Sequence, residues 1–461
     1  MIPACRARSV RSATPTPFRQ IRSLWQCSTV ISPSPSSIVS HLEQARPPTP
    51  PALTLFAISK NVPQDLVQPL RSALASSSPA VGCLTEVLPP SAIAVLSPDL
   101  DASVEHYSIS IARYLPSSPS ERGIPFRSAL TGRPNISLGR EHKPEQETDG
   151  IDAGFEAFLR GEKWGFGDGV NLHNGRRAEI EELKGVDPSQ VKEIVCFTAD
   201  RIQPFLGALS AFPRSATAGL VGTSTPFHSP THSPFSLFFD SQTSSTGAVG
   251  IAVVDSAASR SGHAAVDYGG LEPLGDVMQV TSSRGNIVLT LSEQNAARLL
   301  LNAVQALPGP EGPNRSPVQR SEEKEKEFYA AVFDHEPQLP LDLGKARHVS
   351  KIMAGDPSRG AMSVETEEEV KIGYHLVFLH RPASATVARR FSLASPRAFT
   401  FLATAPSHVP PRFSAADAPT EGAAVVIDSF VTASENGILV SPGGGGENTV
   451  CAIDGASVSL Q

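Results

Sequence analysis

The sequence predicts an α+β fold: two copies of a βαβββ half-domain with mixed or antiparallel sheets and flanking helices, followed by a second α+β domain. Three observations lead to it. Two distant stretches each open on an apolar run of strand length, continue with apolar residues at helical spacing and end on a glycine-bearing apolar run. The second half of the chain alternates short apolar runs with turn residues. Prolines, 41 in all, collect between the apolar runs, where a missing N–H breaks no ladder.

In the first copy LTLFAIS (Leu53 to Ser59) reads as a strand, PQDLVQPLRSAL (Pro63 to Leu74) as a helix and PAVGCLTEV (Pro79 to Val87) as a strand. AIAVLSP (Ala92 to Pro98) and HYSISIARYL (His106 to Leu115) read as two more strands. The second copy runs EIVCFTA (Glu193 to Ala199), RIQPFLGALSAF (Arg201 to Phe212), SATAGLVGTST (Ser215 to Thr225), FSLFFD (Phe235 to Asp240) and GAVGIAVVD (Gly247 to Asp255). Aligning the copies sets Ser108–Ala112 opposite Ala248–Ala252. Residues 116–190 are polar, glycine-rich and charged, as an insertion would be, within an N-terminal domain of residues 50–270.

The C-terminal domain, 271–461, opens on SRGNIVLTLSEQNAARLLLNAV (Ser283 to Val304), which reads as a hairpin arm and a helix capped at Ser292. EEKEKEFYAAVF (Glu322 to Phe333) is helix-like, and Ala361–Val364 and Tyr374–Leu379 read as strands joined by an acidic loop. A Pro/Ser-rich insertion spans 382–420, and Ala423–Leu460 closes the chain.

Residues 1–45 carry Arg6, Arg8, Arg11, Arg19 and Arg22, are rich in Ser and Thr, and have no acidic residue before Glu43. That is the composition of a mitochondrial presequence, which predicts a matrix location, with the cytoplasm as the alternative if the segment is only a disordered tail. The whole chain has 39 basic and 46 acidic residues and a net charge of −7. Residues 1–45 hold five arginines and one glutamate, so 34 basic and 45 acidic residues remain beyond them and the net charge becomes −11. So acidic a body, without a basic stripe interleaved with aromatics, is not expected to bind nucleic acid. No segment is apolar over the ~18 residues that a membrane span needs.

Cys5, Cys27, Cys83, Cys196 and Cys451 form no C-x-x-C pair, so neither a zinc site nor a disulfide framework is expected. His228 and His232 have i, i+4 spacing, but Pro226, Pro230 and Pro234 forbid the helix that would make them metal ligands. WGFGDG (Trp164 to Gly169) and GGGG (Gly443 to Gly446) lack the lysine of a phosphate loop and read as turns. No cofactor, metal or catalytic residue is assigned: the candidate nucleophiles in VGCLTE and VGTST do not form a G-x-S-x-G elbow.

The chain resembles the FIST family, named for F-box and intracellular signal transduction, and both the N- and C-terminal FIST parts find a counterpart. PAVGCLTEV, ATAGLVGTST and TGAVGIAVV (Thr246 to Val254) carry the match, with PLGDVMQVTSSRGNIVLTL (Pro273 to Leu291), IMAGDPSRGAMSV (Ile352 to Val364) and VTASENGILV (Val431 to Val440). The resemblance implies a small-ligand-binding, sensory protein of signal transduction, with a metabolite such as an amino acid as ligand. It also implies an alternative, a protein–protein adaptor related to ubiquitin-linked members. An F-box is not expected, because residues 1–50 are Arg-, Ser- and Pro-rich. An enzyme using the cleft between the repeats is the third reading.

Candidate ligand-binding residues follow from the repeat. Gly82 and Gly219 hold equivalent places where a backbone could approach a ligand, or where strands simply pack tightly. Cys83, Thr85, Glu86, Thr223 and Ser224 lie beside them, and Glu435 follows a late apolar run. Asn436-Gly437 predicts a hairpin there, and the carboxylates of EEEV (Glu367 to Val370) read as a solvated loop.

Overall fold

A computed structural model describes residues 25–44, 49–129, 179–199, 203–225, 234–256, 264–307, 327–356, 360–366, 369–382, 398–407, 414–415, 422–441 and 448–460. The protein is α+β, with mixed and antiparallel sheets and five α-helices among the described residues. Strands are numbered along the chain.

The first sheet has the order β21 (Val425–Ile427), β1 (Trp25–Ser32), β4 (Tyr107–Tyr114), β2 (Leu53–Ser59), β3 (Ala80–Thr85), β8 (Leu237–Phe239), β9 (Gln242–Ser244). The second has the order β24 (Thr449–Cys451), β23 (Ile438–Val440), β7 (Ala216–Val221), β6 (Val191–Thr198), β10 (Ala248–Asp255), β5 (Glu121–Ser128). In each, one parallel pair (β2/β3, β6/β7) is flanked by antiparallel neighbours. Read from β1 and from β5 the two orders coincide: β1-β4-β2-β3-β8-β9 matches β5-β10-β6-β7-β23-β24.

The repeat is therefore larger than βαβββ and its parts are exchanged along the chain. β8, the FSLFFD strand, sits in the first sheet rather than the second, and its counterpart β23 comes from the C-terminal part. β5, within the expected insertion, is the edge strand of the second sheet, while residues 130–178 lie outside the described residues. A boundary at residue 270 does not separate structural bodies, because β21, β23 and β24 complete N-terminal sheets.

Buried apolar runs explain the central strands. Every residue of β2 and β3 is buried, as expected of strands covered on both faces. Helix α1 (Pro35–Gln44) and α2 (Gln64–Ala75) cover one face of the first sheet with Ile38, Leu42, Val67, Leu70 and Leu74. Helix α4 (Gln203–Leu209) covers the second with Phe205, Leu206 and Leu209. The opposite faces share one core, where Leu55, Ala57 and Cys83 meet Phe197, Ala218 and Ile251.

A third sheet, β11 (Ala264–Asp267), β25 (Ser457–Leu460), β20 (Phe399–Ala403), β22 (Phe430–Ser434), adds Phe399, Phe401 and Phe430 to that core. β22 pairs with β20 on one edge, and buried hydroxyls serve its backbone on the other. Val431 N donates to Thr29 Oγ1 at 2.9 Å, and Ser110 Oγ donates to Val431 O at 2.5 Å. Those bonds lay β22 against the first sheet.

The remaining strands form a closed antiparallel barrel: β13 (Met278–Arg284), β14 (Ile287–Leu291), β18 (Ala361–Val364), β17 (His348–Asp356), β16 (Phe328–Phe333) and β19 (His375–His380), which returns to β13. β12 (Glu272–Pro273) adds to β19 and β15 (Gln294–Asn295) to β14. Val280, Val288, Val332, Met362, Leu376 and Phe378 fill this second core.

Several expectations are corrected. Trp25–Gln44, assigned to a leader, form β1 and α1, with Trp25, Cys27, Val30 and Ile31 buried; residues 1–24 lie outside the described residues. Ala92–Pro98 is not a strand: Ala92–Leu96 belong to helix α3 (Pro90–Leu96), whose first turn is preset by Pro89 and Pro90, and Ser97 caps it. The aligned registers differ by one: Phe56 and Cys196 lie opposite Gly82 and Gly219, and they pair with Ile111 and Gly250, so Ala112 matches Ile251 rather than Ala252. The cap of helix α5 (Ala296–Ala306) is Asn295, which accepts from Arg298 N at 2.8 Å, while Ser292 and Glu293 form a turn with positive φ. Phe328–Phe333 is a barrel strand and not the end of a helix, since barrel closure outweighs the charged run before it.

Candidate functional site

The parallel pairs place the carboxyl ends of β2 and β3, and of β6 and β7, where the chain turns away from each sheet. Such ends are where ligands of open α/β sheets sit. Because Gly82 matches Gly219, Glu86 occupies in the first copy the place that Thr223 occupies in the second, and Val87 that of Ser224.

β22 and the residues after it join the two places. Glu86 N donates to Ala433 O at 2.9 Å, and Thr223 N to Leu84 O at 3.4 Å. Two residues past Ala433, Glu435 Oε2 accepts from Thr223 Oγ1 at 2.8 Å and Oε1 from Ser224 N at 2.8 Å. Asn436 Nδ2 donates to Gly222 O at 2.8 Å, and Ser434 Oγ to Val221 O at 2.5 Å. Asn436-Gly437 therefore does not close a hairpin: β22 and β23 lie in different sheets, and the turn carries the chain from one to the other.

Glu86 is fully buried. Its Oε2 meets Lys60 Nζ at 2.7 Å, and its Oε1 accepts from Val87 N at 2.8 Å and Ser407 Oγ at 2.7 Å. A buried carboxylate requires such compensation. Glu435 is held by neutral donors and is half-buried. Two carboxylates and one lysine give the cluster a negative balance, suited to a group that brings a positive charge and N–H donors.

Glu86, Thr223, Ser224 and Glu435 are thus brought together. Thr85 Oγ1 turns to Ile58 O at 3.3 Å instead. Gly82 and Gly219 lie inside their strands, and protein fills the space beside them: an added Cβ would lie 2.5 Å from Phe56 O at Gly82 and 2.0 Å from Cys196 O at Gly219. Cys83 is buried, and burial pushes its thiol well up, as it pushes Cys27 and Cys451 up to about 12. Such thiols are poor nucleophiles.

The sequence reading missed Lys60, Ser407, Ser434 and Asn436. Lys60 is the first charged residue beyond a buried strand, which was a usable signal; Ser407 comes from the Pro/Ser-rich insertion and reaches Glu86 only through tertiary folding. Among the described residues no group of three His, Cys, Asp or Glu side chains is placed to hold a metal. His228, His232, Trp164–Gly169, Gly443–Gly446, Glu367 and Glu368 lie outside the described residues. Among those described, no helix is long and apolar enough to cross a membrane.

The chain matches no protein-family model and no curated protein.

Proposed function

We propose that the protein is a small-ligand-binding, sensory protein of the FIST type that carries out no catalytic step. The observation that supports this reading is the joining of the matched strand ends, Glu86 in one copy and Thr223 in the other, by Ala433–Asn436, whose Glu435 binds Thr223 and Ser224. A metabolite carrying an ammonium group, such as an amino acid, suits the negative balance there. The Arg-rich, Ser-rich residues 1–24 support a mitochondrial address. Fused to a reporter they are expected to direct it into mitochondria, and a diffuse cytosolic signal would count against that address.

A thermal-shift screen of the full chain against amino acids and mitochondrial metabolites tests the ligand reading. Ligand at 100 times its dissociation constant should stabilise the native state by about 2.7 kcal/mol. A saturable shift supports the proposal, and its absence over a broad panel for a folded protein argues against it. The adaptor reading is favoured by exposed apolar side chains on the C-terminal barrel and its helix, where Met353 is 59% exposed, Ile372 66% and Leu301 42%. Selective capture of a protein partner, lost when these three are made polar, would support it.

A further inference from the structure

At the opposite ends of the parallel strands the two sheets meet through another carboxylate. Trp25, the first residue of β1, is buried, and its indole Nε1 donates to Glu193 Oε2 of β6 at 3.0 Å. The indole is fixed in turn by Tyr114 of β4 and Phe399 of β20, each with ring centroids 5.1 Å away. This polar contact joins the first sheet to the second inside an aromatic cluster that also includes the third.

The charge of Glu193 is poorly compensated. The neighbouring cation, Lys192, is already shared by Asp255 of β10 at 2.5 Å and Glu121 of β5 at 3.2 Å. The other titratable groups acting here are Cys27 of β1, whose thiol the Glu193 charge pushes further up, and Tyr114, whose phenol is pushed up first by burial and then by Glu121, Glu193 and Asp255. Tyr114 itself is fully buried and its hydroxyl has no hydrogen-bond partner among the described residues.

We propose that Glu193 is a reversible proton-binding site built into the joint between the two sheets, with Trp25 as the group that feels its state. The ionised carboxylate accepts the indole N–H in an aromatic setting without a cation of its own. Uptake of a proton removes that charge and weakens the acceptor that holds the indole N–H. Burial raises the Glu193 carboxyl above its ordinary value of 4.5; the Trp25 bond and Lys192 pull it back, and Glu121 adds to the rise.

The sign follows from linkage. A carboxyl whose folded-state value is raised contributes stability that is complete below the unfolded value and is lost as pH rises through the folded one. Ionised Glu193 thus weakens the joint at neutral pH, whereas glutamine keeps an acceptor for the indole and carries no charge.

The test uses the full chain with its second tryptophan removed by Trp164→Phe, so that emission reports Trp25 alone. Fluorescence is titrated between pH 4 and 8 over the range in which far-ultraviolet circular dichroism stays constant. One reversible step with a midpoint above 4.5, absent after Glu193→Gln, is the expected result. A higher unfolding temperature for Glu193→Gln at pH 8, with the gain shrinking toward pH 5, is expected alongside it. No step, or a step that survives Glu193→Gln, overturns the proposal. So does a Glu193→Gln chain that is less stable at pH 8 or does not fold, because the indole acceptor was retained.

Discussion

Gly219 shows at the scale of one residue how little freedom the repeat leaves. A Cβ there would lie 2.0 Å from the Cys196 carbonyl oxygen, a backbone atom that cannot swing aside. Gly219→Ala should therefore destabilise the protein by about 1–3 kcal/mol, the usual cost of overpacking, seen as a lower urea midpoint. Lys60→Met removes the cation from buried Glu86 and should cost about 3–5 kcal/mol on the same assay at pH 7, because one partner of a buried pair is left alone. A loss under ~1 kcal/mol would mean that Val87 N and Ser407 hold the carboxylate without help. Glu86 and Thr223 were legible in the sequence because duplication marks equivalent positions. Ser407 was not, since nothing local ties a serine in a proline-rich stretch to a glutamate 321 positions away.

Among elements, β1 is the most consequential. It lies between β4 and β21, and Thr29 on it supplies the hydroxyl that serves the backbone of β22. A chain beginning at residue 45 should lose its cooperative unfolding transition, while Thr29→Val should fold and lose about 1–3 kcal/mol through the unserved Val431 N–H. Circular dichroism with thermal denaturation checks both, and a stable truncated chain would show β1 to be dispensable. The sequence was transparent for β2, β3 and β7, and for β6 from Ile194 onward, where mainly apolar runs signal strands buried on both faces. It was opaque for β1, whose polar Gln26 and Ser28 follow an arginine-rich segment, and for β5, ERGIPFRS, whose charges and Pro125 suit an edge strand but read as insertion. Periodicity also failed at β16, where FYAAVF continues a charged helix-like run and only barrel closure decides the outcome.

At the scale of the whole molecule, two of the sheets are copies of one pattern that exchange their last two strands, beside a third sheet and a barrel. β8 and β9, from between β7 and β10 in the chain, finish the first sheet; β23 and β24, from near the C-terminus, finish the second. A linear sequence repeat could reveal the copies but not the exchange, because β8 lies in the span of the second copy yet pairs with β3 of the first, and β23 lies beyond both copies. The exchange also brings Glu435 to Thr223 and Ala433 to Glu86, so the proposed ligand site exists only in the assembled fold. The most direct measurement is a thermal-shift titration of the full chain and its Glu435→Gln variant, side by side, with each ligand that stabilises the wild type. Binding at the joined ends predicts a saturable shift in the wild type that is largely lost in a variant that remains folded. An equal shift in both proteins would contradict the site, and no shift with any amino acid or metabolite would contradict the ligand-binding function.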